Sequence, residues 1–230
     1  TALFTSEQTR AIDRRAIDEL GMPGFELMTR ASAAAFAMLR RRWPSACRVR
    51  VVCGVGNNGG DGYLVARDAL ANGIAVDLVA LDVPRGDDAV RAREAFVSLG
   101  GRAQTLDAWS ALPPADVIVD AIYGTGLNRP PEGAARDAID AINAAGLPVL
   151  ALDVPSGLAA DSGDCPGVAV RASATATFIV RKRGMYTHRA AVAGAIEVFD
   201  LAVPVRATDV PDARLLVARG LPPRPADSHK

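Results

Sequence analysis

A glycine-rich turn between two apolar segments constrains the fold of this chain more than any other feature. In residues 50–67, Arg-Val-Val-Cys-Gly-Val-Gly-Asn-Asn-Gly-Gly-Asp-Gly-Tyr-Leu-Val-Ala-Arg, a β-branched run gives way to glycines before an apolar helical pattern resumes. The pattern predicts a strand, a phosphate-sized loop and a helix that begins near Asp61. Glycines let a ligand approach the backbone, and a helix N-terminus offers unpaired N–H groups. An anionic ligand is therefore expected.

The same glycines also satisfy a shorter motif. Gly54, Gly56 and Gly59 match the dinucleotide fingerprint G-x-G-x-x-G, and Asp77 lies where a ribose-binding acid would follow, about 20 residues on. A tight strand-to-helix turn in any α/β protein would explain the spacing equally well. The short motif therefore does not identify the ligand.

Length and composition exclude several classes of protein. A chain of 230 residues fits one large α/β domain, and no apolar run approaches the roughly 20 residues of a membrane span. Without a signal-peptide pattern, a soluble cytoplasmic protein is expected. Lys plus Arg equals Asp plus Glu at 26 each, which argues against nucleic acid as a partner. Cysteine and histidine spacing is typical of neither a zinc site nor a disulfide framework.

Apolar periodicity divides the chain into alternating helices and strands. Thr5 and Gln8 form a capping box before a first helix that ends at Gly21. Further helices are predicted over residues 25–42, 61–72, 87–99 and 132–145, and strands over 74–81, 103–106, 116–120 and 148–154. The alternation predicts a mostly parallel sheet covered on both faces. Two runs, 174–180 and 195–201, are expected to complete the sheet as shorter strands, for which antiparallel pairing is one option.

Three loops with unusual chemistry follow predicted strands. They are residues 56–62, residues 120–130 and residues 153–157, the last two beginning with Asp120 and Asp153. Each acid could simply cap a loop. Ligands of open α/β sheets lie beyond the carboxyl ends of the strands, so the convergence of three such loops predicts a binding site.

Together these loops resemble one known family. Asn-Asn-Gly-Gly-Asp-Gly at 57–62, the segment 120–130 and Asp-Val-Pro-Ser-Gly-Leu at 153–158 are similar to the NAD(P)H-hydrate epimerase family, the YjeF N-terminal domain. The similarity extends from the first helix to about Pro204. It implies a Rossmann-like three-layer α/β/α sandwich. It also implies an isomerase of nicotinamide nucleotide repair, which inverts the C6 hydroxyl centre of hydrated NADH or NADPH (R to S NAD(P)HX).

The resemblance also implies roles for individual residues. A potassium ion would be the cofactor, bound by Asn58, Asp120 and Ser156, whose amide, carboxylate and hydroxyl oxygens suit a hard cation. Asp153 would be the general acid/base at the C6 hydroxyl. The substrate contacts implied are Asn57, Asn58, Gly59, Gly60, Asp61, Gly124, Thr125, Gly126, Leu127, Asn128, Arg129, Pro130 and Asp153.

Two departures from the family pattern limit these assignments. Some relatives carry a lysine in the second loop where this chain has Asn128 and Arg129, so no catalytic lysine is assigned. The segment 182–188 matches a looser family pattern, and His188 is interpreted as a surface residue.

The chain is divided into residues 1–205, the YjeF N-terminal domain, and residues 206–230, a linker. The Pro-rich segment 221–230 resembles the start of the ADP-dependent dehydratase domain of bifunctional relatives, although an unstructured terminus explains its composition equally well. A dehydratase domain, fused or separate, is therefore an expected partner. A homo-oligomer is also expected.

Two other functions are kept as alternatives. A related domain serves mRNA-decapping scaffolds for dimerisation and RNA contact, but there the loops would be degraded, whereas Asn58, Asp120, Asp153 and Ser156 are all present here. A nucleotide-dependent oxidoreductase is the second alternative. A change in nicotinamide absorbance on turnover would identify it, because epimerisation transfers no hydride.

Overall fold

The computed structural model describes residues 1–127, 129–206 and 208–215, apart from the side chains of residues 188–190. The helices and strands alternate through most of the chain. In chain order they are β1 (Ala2–Leu3), α1 (Ser6–Asp18), α2 (Gly24–Arg42), β2 (Arg48–Cys53), α3 (Asn57–Ala71), β3 (Ala75–Ala80), α4 (Asp87–Ser98), β4 (Ala103–Gln104), β5 (Val117–Ala121), α5 (Ala134–Ala144), β6 (Val149–Leu152), β7 (Ala174–Phe178), β8 (Ala195–Phe199) and β9 (Ala213–Arg214). Three 3₁₀ helices, Leu106–Ala111, Arg183–Tyr186 and His188–Ala193, lie in the connections.

One seven-stranded sheet organises the protein. Its order is β4-β3-β2-β5-β6-β7-β8, and every neighbouring pair is parallel. The antiparallel option for the last two strands is therefore wrong. Residues 153–173 and 179–194 connect β6 to β7 and β7 to β8, and both connections exceed the dozen or so residues that a parallel crossover needs.

Both faces of the sheet are covered. On β2, Val51 and Cys53 join a core cluster with residues of α2 and α3, whereas Val52 points to the opposite face. There Ile139 of α5 completes a second cluster. Two buried faces explain why the strands read as continuous apolar runs, and they confirm the predicted three-layer α/β/α sandwich.

Helix α3 begins four residues earlier than predicted, at Asn57, with Gly56 as its N-cap. The predicted loop is thus mostly the first helical turn, because close packing requires glycine there. A Cβ at Gly59 would collide with the Gly54 carbonyl oxygen, and one at Gly60 would lie 2.7 Å from the Met28 sulfur. The helix N-terminus still follows the end of β2, as the sequence predicted.

The N-terminal segment is fastened to the carboxyl end of the sheet. The predicted capping box is present, since the Thr5 hydroxyl accepts from the Gln8 N–H and the Gln8 side chain accepts from the Thr5 N–H. Just before it, the Phe4 N–H donates to the Arg181 carbonyl at 2.9 Å, and the Arg183 N–H donates to the Phe4 carbonyl at 2.8 Å. These bonds hold α1 beside the residues that follow β7.

Residues beyond the predicted domain boundary also contact this segment. Strand β9 pairs antiparallel with β1, and Arg15 of α1 forms an ion pair with Asp209. Residues 216–230 lie outside the described part of the chain, so the division at residue 205 stays a prediction. Within the described residues, no helix combines the length and apolarity needed to cross a bilayer.

Candidate functional site

A cavity of about 500 Å³ lies where the three loops meet. One wall comes from α1, including Arg10 and Asp13, and another comes from the first turn of α3. Of the residues that the resemblance implies as substrate contacts, the cavity is lined by Asn57, Asn58, Asp61, Gly124, Thr125, Gly126 and Asp153. The structure therefore brings most of the first and second loops together with the acid that follows β6.

Asp153 occupies a strained and well-anchored position. Its φ of 64° lies in the left-handed region, which Asp tolerates better than most residues do. One carboxylate oxygen, Oδ2, accepts the Thr125 N–H at 3.1 Å, and the other, Oδ1, lies 2.5 Å from the Lys182 ammonium. A Cβ at Gly124 would come within 2.7 Å of Oδ2. The carboxylate is thus fixed at the edge of the cavity by the second loop and by a lysine.

Three carboxyl groups surround Lys182, which has 1% of its side chain exposed. Besides Asp153, they are Asp13 of α1 and Asp61 of α3. Burial raises the pKa of Asp13 to about 6, with the charge of Lys182 opposing the shift and that of Asp153 adding to it. Burial also raises the pKa of Asp61 well above its usual range, and Asp153 and Asp13 reinforce it. The cavity therefore combines a buried cation with two carboxyl groups, Asp13 and Asp61, whose burial favours the neutral form.

Asp120 closes β5 beneath these loops and is completely buried. Its Oδ1 accepts the Ser156 hydroxyl at 2.6 Å and the Ile122 N–H at 3.2 Å, and its Oδ2 accepts the Ser156 N–H at 2.8 Å. The Ser156 hydroxyl in turn accepts the Tyr123 N–H at 2.9 Å. Burial raises the pKa of Asp120 to about 6, and these hydrogen bonds oppose the shift. Asp120 thereby joins the end of β5 to the loop after β6.

Asn58 is the unsatisfied polar group of the site. Both its Oδ1 and its Nδ2 are buried, and neither has a hydrogen-bond partner among the described residues. A buried amide without partners costs free energy, so such a group commonly marks a place for a bound ion, water or ligand. No three His, Cys, Asp or Glu side chains of the described residues form a metal-binding group. The oxygen set of Asn58, Asp120 and Ser156 instead has the chemistry of a hard-cation site.

Comparison with known proteins decides the family. Residues 24–184 match the model of the family described as YjeF-related protein N-terminus. The chain belongs to this family. The resemblance found in the loops is thus confirmed, and the YjeF-related match begins with α2 and ends just beyond Lys182.

Curated relatives of this YjeF-related domain fall into two kinds. The chain is 43% identical over 191 residues to the bifunctional NAD(P)H-hydrate repair enzyme Nnr of Escherichia coli, covering 82% of this chain and 37% of that protein. It is 38% identical over 198 residues to the NAD(P)H-hydrate epimerase of Limosilactobacillus fermentum, covering 86% of this chain and 95% of that protein. The chain thus spans well under half of the first relative and nearly all of the second.

A solved structure supports the fold. The crystal structure of yeast ynu0, YNL200c, superposes with a TM-score of 0.74 at 21% identity, covering 80% of this chain and 83% of that chain. At this identity the likeness concerns the fold alone. It agrees with the three-layer sandwich of the YjeF-related domain.

Some residues implied as contacts lie away from the main cavity of the YjeF-related domain. Gly59 and Gly60 serve helix packing, as described above, although the backbone of Gly59 is still in the first turn of α3. Leu127 and Arg129 line a smaller neighbouring cavity of about 300 Å³. Pro130 lines neither cavity, and Asn128 lies outside the described residues.

Sequence reasoning missed two residues of the YjeF-related site, Lys182 and Asp13. The available signal for Lys182 was a cation two residues after the predicted strand 174–180, within the looser pattern of residues 182–188. The available signal for Asp13 was its position next to Ile12, since an acid beside the buried face of α1 is unusual. The side chain of His188 lies outside the described part of the chain.

The ribose role of Asp77 finds no support. Asp77 lies within β3, is 6% exposed, and pairs with Arg48 of β2 at 3.3 Å. A residue in the body of a strand is away from the carboxyl edge, where the YjeF-related loops gather. Its carboxylate instead forms an ion pair between the neighbouring strands β2 and β3.

Proposed function

We propose that this domain is an NAD(P)H-hydrate epimerase, which interconverts the R and S forms of hydrated NADH and NADPH at C6. The observation that carries the proposal is the carboxylate of Asp153, held at the rim of a 500 Å³ cavity by Lys182 and by the Thr125 N–H. The name of the Limosilactobacillus fermentum relative, which this chain covers almost completely, supports the same activity.

Substrate binding is assigned to the first turn of α3 and to the second loop. The N–H groups of Asn57, Asn58 and Gly59 open the helix and have no partner within it, so together with the helix dipole they suit a pyrophosphate. Arg10, which lines the facing wall, adds a positive charge. The cavity volume lies within the range of about 300–1,000 Å³ typical of small-molecule sites.

Asp153 would perform the proton transfers. In its protonated form it gives its proton to the C6 hydroxyl, the C6–O bond breaks, water leaves, and the ring nitrogen lone pair forms a ring iminium. In its ionised form it takes a proton from a water molecule whose oxygen bonds to C6 on the other face. A placed acid/base of this kind contributes about 10²–10⁴-fold to the rate.

A potassium ion fits the residues beneath the cavity. Asn58 offers a buried amide oxygen without a partner, and Asp120 and Ser156 offer a carboxylate and a hydroxyl oxygen at the end of β5. When bound, the ion would supply positive charge that offsets substrate phosphate. The hydrogen bonds of Asp120 and Ser156 keep these oxygens in place, and the amide of Asn58 gains the partner that it lacks.

The partner would be an ADP-dependent dehydratase, either fused or separate. The two kinds of relative, one named as bifunctional and one named as an epimerase, are consistent with both arrangements. A homo-oligomeric state and a cytoplasmic location stay predictions from the sequence.

The experiment that tests this function uses the (R)-hydrates of NADH and NADPH. Conversion to the (S)-hydrates is followed by chromatography, with the spontaneous rate subtracted, and absorbance is recorded in parallel. We expect rapid interconversion without a change in nicotinamide redox state. Conversion at the spontaneous rate would refute the epimerase proposal and favour the scaffold alternative. A change in redox state would favour the oxidoreductase.

A further inference from the structure

Lys182, the cation that contacts Asp153 in the proposed site, is itself buried. An ammonium group is costly to bury unless it is paired and hydrogen-bonded. Lys182 meets that condition, because it donates to the Thr177 hydroxyl at 3.0 Å and to the Phe178 carbonyl at 2.7 Å, and lies 2.5 Å from Asp153 Oδ1. Each of its three N–H groups therefore has a protein partner, and one of those partners is the proposed acid/base.

The backbone at Lys182 is held as firmly as its side chain. Phe4 bridges to Lys182 in a parallel arrangement, with hydrogen bonds to residues 181 and 183 on either side. Two residues further along, the Gly184 N–H donates to the Ala160 carbonyl at 2.7 Å. A Cβ at Gly184 would collide with the carbonyl oxygens of Ala159 and Ala160, so the two backbone segments approach more closely than a side chain would allow. This anchoring sets the ammonium at one place relative to the end of β6.

We propose that Lys182 is a positioning residue of the reaction, which fixes the Asp153 carboxylate for proton exchange at C6. The inference rests on the proposed epimerase function. With Oδ1 paired to the ammonium and Oδ2 bonded to the Thr125 N–H, the carboxylate plane cannot rotate, yet each oxygen keeps a lone pair for the substrate. Lys182 keeps its three protons throughout, and only Asp153 exchanges a proton with the C6 hydroxyl and with water.

Because charged groups surround Lys182, its positioning role should affect the pH dependence of the reaction rate. Asp153 faces it from the end of β6, Asp13 from α1 and Asp61 from α3, and Arg10 acts on Asp13 from the same helix. Burial favours the neutral forms of Asp13 and Asp61, whereas the ammonium stabilises the charged form of a carboxylate in direct contact. Removing the ammonium should therefore move the acidic limb of the pH–rate profile to higher pH.

Three variants test the proposal in the full chain. Lys182→Met keeps the length and removes the charge, and Lys182→Arg keeps the charge. The matched control is Arg183→Met, which removes the neighbouring cation, one that pairs with Asp212 instead. For Lys182→Met we expect kcat to fall on the order of 10²-fold with little change in KM, and the acidic limb to move to higher pH. Lys182→Arg should recover part of kcat, and Arg183→Met should match the wild type.

A wild-type kcat and pH profile in Lys182→Met would overturn the proposal. If Lys182→Met does not fold, Thr177→Val serves instead, because it removes one partner of the ammonium and keeps the charge. It should lower kcat while thermal melting shows a folded protein, and an unchanged kcat in that variant would also overturn the proposal.

A measurement without substrate separates this inference from the epimerase function. The NMR chemical shift of the Asp153 carboxyl carbon at one fixed pH reports its contact with Lys182 whether or not the protein is an epimerase. It should change in Lys182→Met and stay the same in Arg183→Met. An unchanged chemical shift in Lys182→Met refutes the positioning role, whereas a changed chemical shift without any wild-type epimerisation refutes only the epimerase function.

Discussion

Asp120 and Asp153 look alike in the sequence, since each follows an apolar run of a neighbouring strand. The strands β5 and β6 pair in parallel, with Asp120 opposite Ala151, so the two acids lie at the same edge of the sheet. Asp120 is fully buried and bonded to a hydroxyl and two backbone N–H groups. Asp153 has 15% of its side chain exposed, reaches the cavity, and is paired with a buried lysine.

The difference between the two acids lies in their partners. The donors around Asp120 belong to the loops that it connects, so its carboxylate works by holding those loops together. The partners of Asp153 fix its direction while leaving it at the cavity, where the proposed reaction requires an acid/base. An acid at the end of a strand therefore acquires its role from what the neighbouring elements bring to it.

Removing the connecting acid should have the largest effect on stability. Asp120→Ala leaves the Ser156 N–H, the Ser156 hydroxyl and the Ile122 N–H without their acceptor. Unsatisfied buried groups cost about 1–3 kcal/mol each, so at pH 5, below the raised pKa of Asp120, the free energy of unfolding should fall by about 3 kcal/mol or more. Urea denaturation measures the change. The exposed Asp140→Ala on α5 is the control, and equal stability of both variants would contradict the holding role.

Asp13→Asn tests the effect of the charged groups around Asp153, because Asp13 is a buried carboxyl group beside Lys182 and Asp153. The folded pKa of Asp13 is raised from 3.8 to about 6, so the folded state binds this proton more tightly than the unfolded state does. That contribution to stability is present below pH 4 and is lost as the pH rises through 6. At pH 8 the Asn variant should be more stable than the wild type by about 3 kcal/mol, because each pH unit between a pKa of 3.8 and one of about 6 corresponds to about 1.4 kcal/mol.

Urea denaturation at a series of pH values measures the effect of Asp13→Asn. The difference from the wild type should open between about pH 4 and pH 6 and then stay constant. Asp18→Asn, an exposed acid on the same helix, should stay within about 0.5 kcal/mol of the wild type. If Asp13→Asn is no more stable at pH 8 than at pH 4, relative to the wild type, then Asp13 is not a strained carboxylate.

A smaller effect is expected where only one donor of the Asp120 network is removed. Ser156→Ala deletes the hydroxyl that donates to Asp120 and accepts from the Tyr123 N–H, and should lower the free energy of unfolding by about 1 kcal/mol. Potassium should also stabilise this variant less than it stabilises the wild type. Thermal melting in potassium and in a large organic cation checks both points, with Ser98→Ala on the surface of α4 as the control. Identical responses of the variant and the wild type would remove Ser156 from the ion site.

The cavity lies at the sheet edge that the sequence predicted because of a general property of parallel sheets. Asp120 lies near the end of β5, Asn58 and Asp153 follow β2 and β6, and the ends of parallel strands meet at one edge whatever the details of packing. The antiparallel option for β7 and β8 failed because strand pattern alone does not distinguish a hairpin from a crossover. The start of α3 was misplaced because glycine usually disfavours a helix, whereas here contacts at Gly59 require it.

Lys182 and Asp13 could not be assigned from the sequence for a different reason. They lie far from the glycine loops along the chain, and they reach the cavity only because the N-terminal segment is fastened to the residues that follow β7. Asp13 is part of no recognisable local motif, and Lys182 belongs only to the looser pattern of residues 182–188. The partner of Asp153 is thus determined by tertiary packing, which explains why the acid was found and its cation was not.

The most direct test of the account is the epimerisation rate of Asp153→Asn. The amide keeps the size of the side chain and ends its proton exchange, so interconversion of the hydrate epimers should fall by about 10²-fold or more. Substrate affinity should stay close to the wild type, because the hydrogen bonds that hold the loops come from Asp120 and Ser156. The melting temperature should fall, since the buried ammonium of Lys182 loses its charged partner, and thermal melting is used to confirm that the variant is folded at the assay temperature. Turnover at the wild-type rate in a folded Asp153→Asn protein would contradict the division of roles between the two acids.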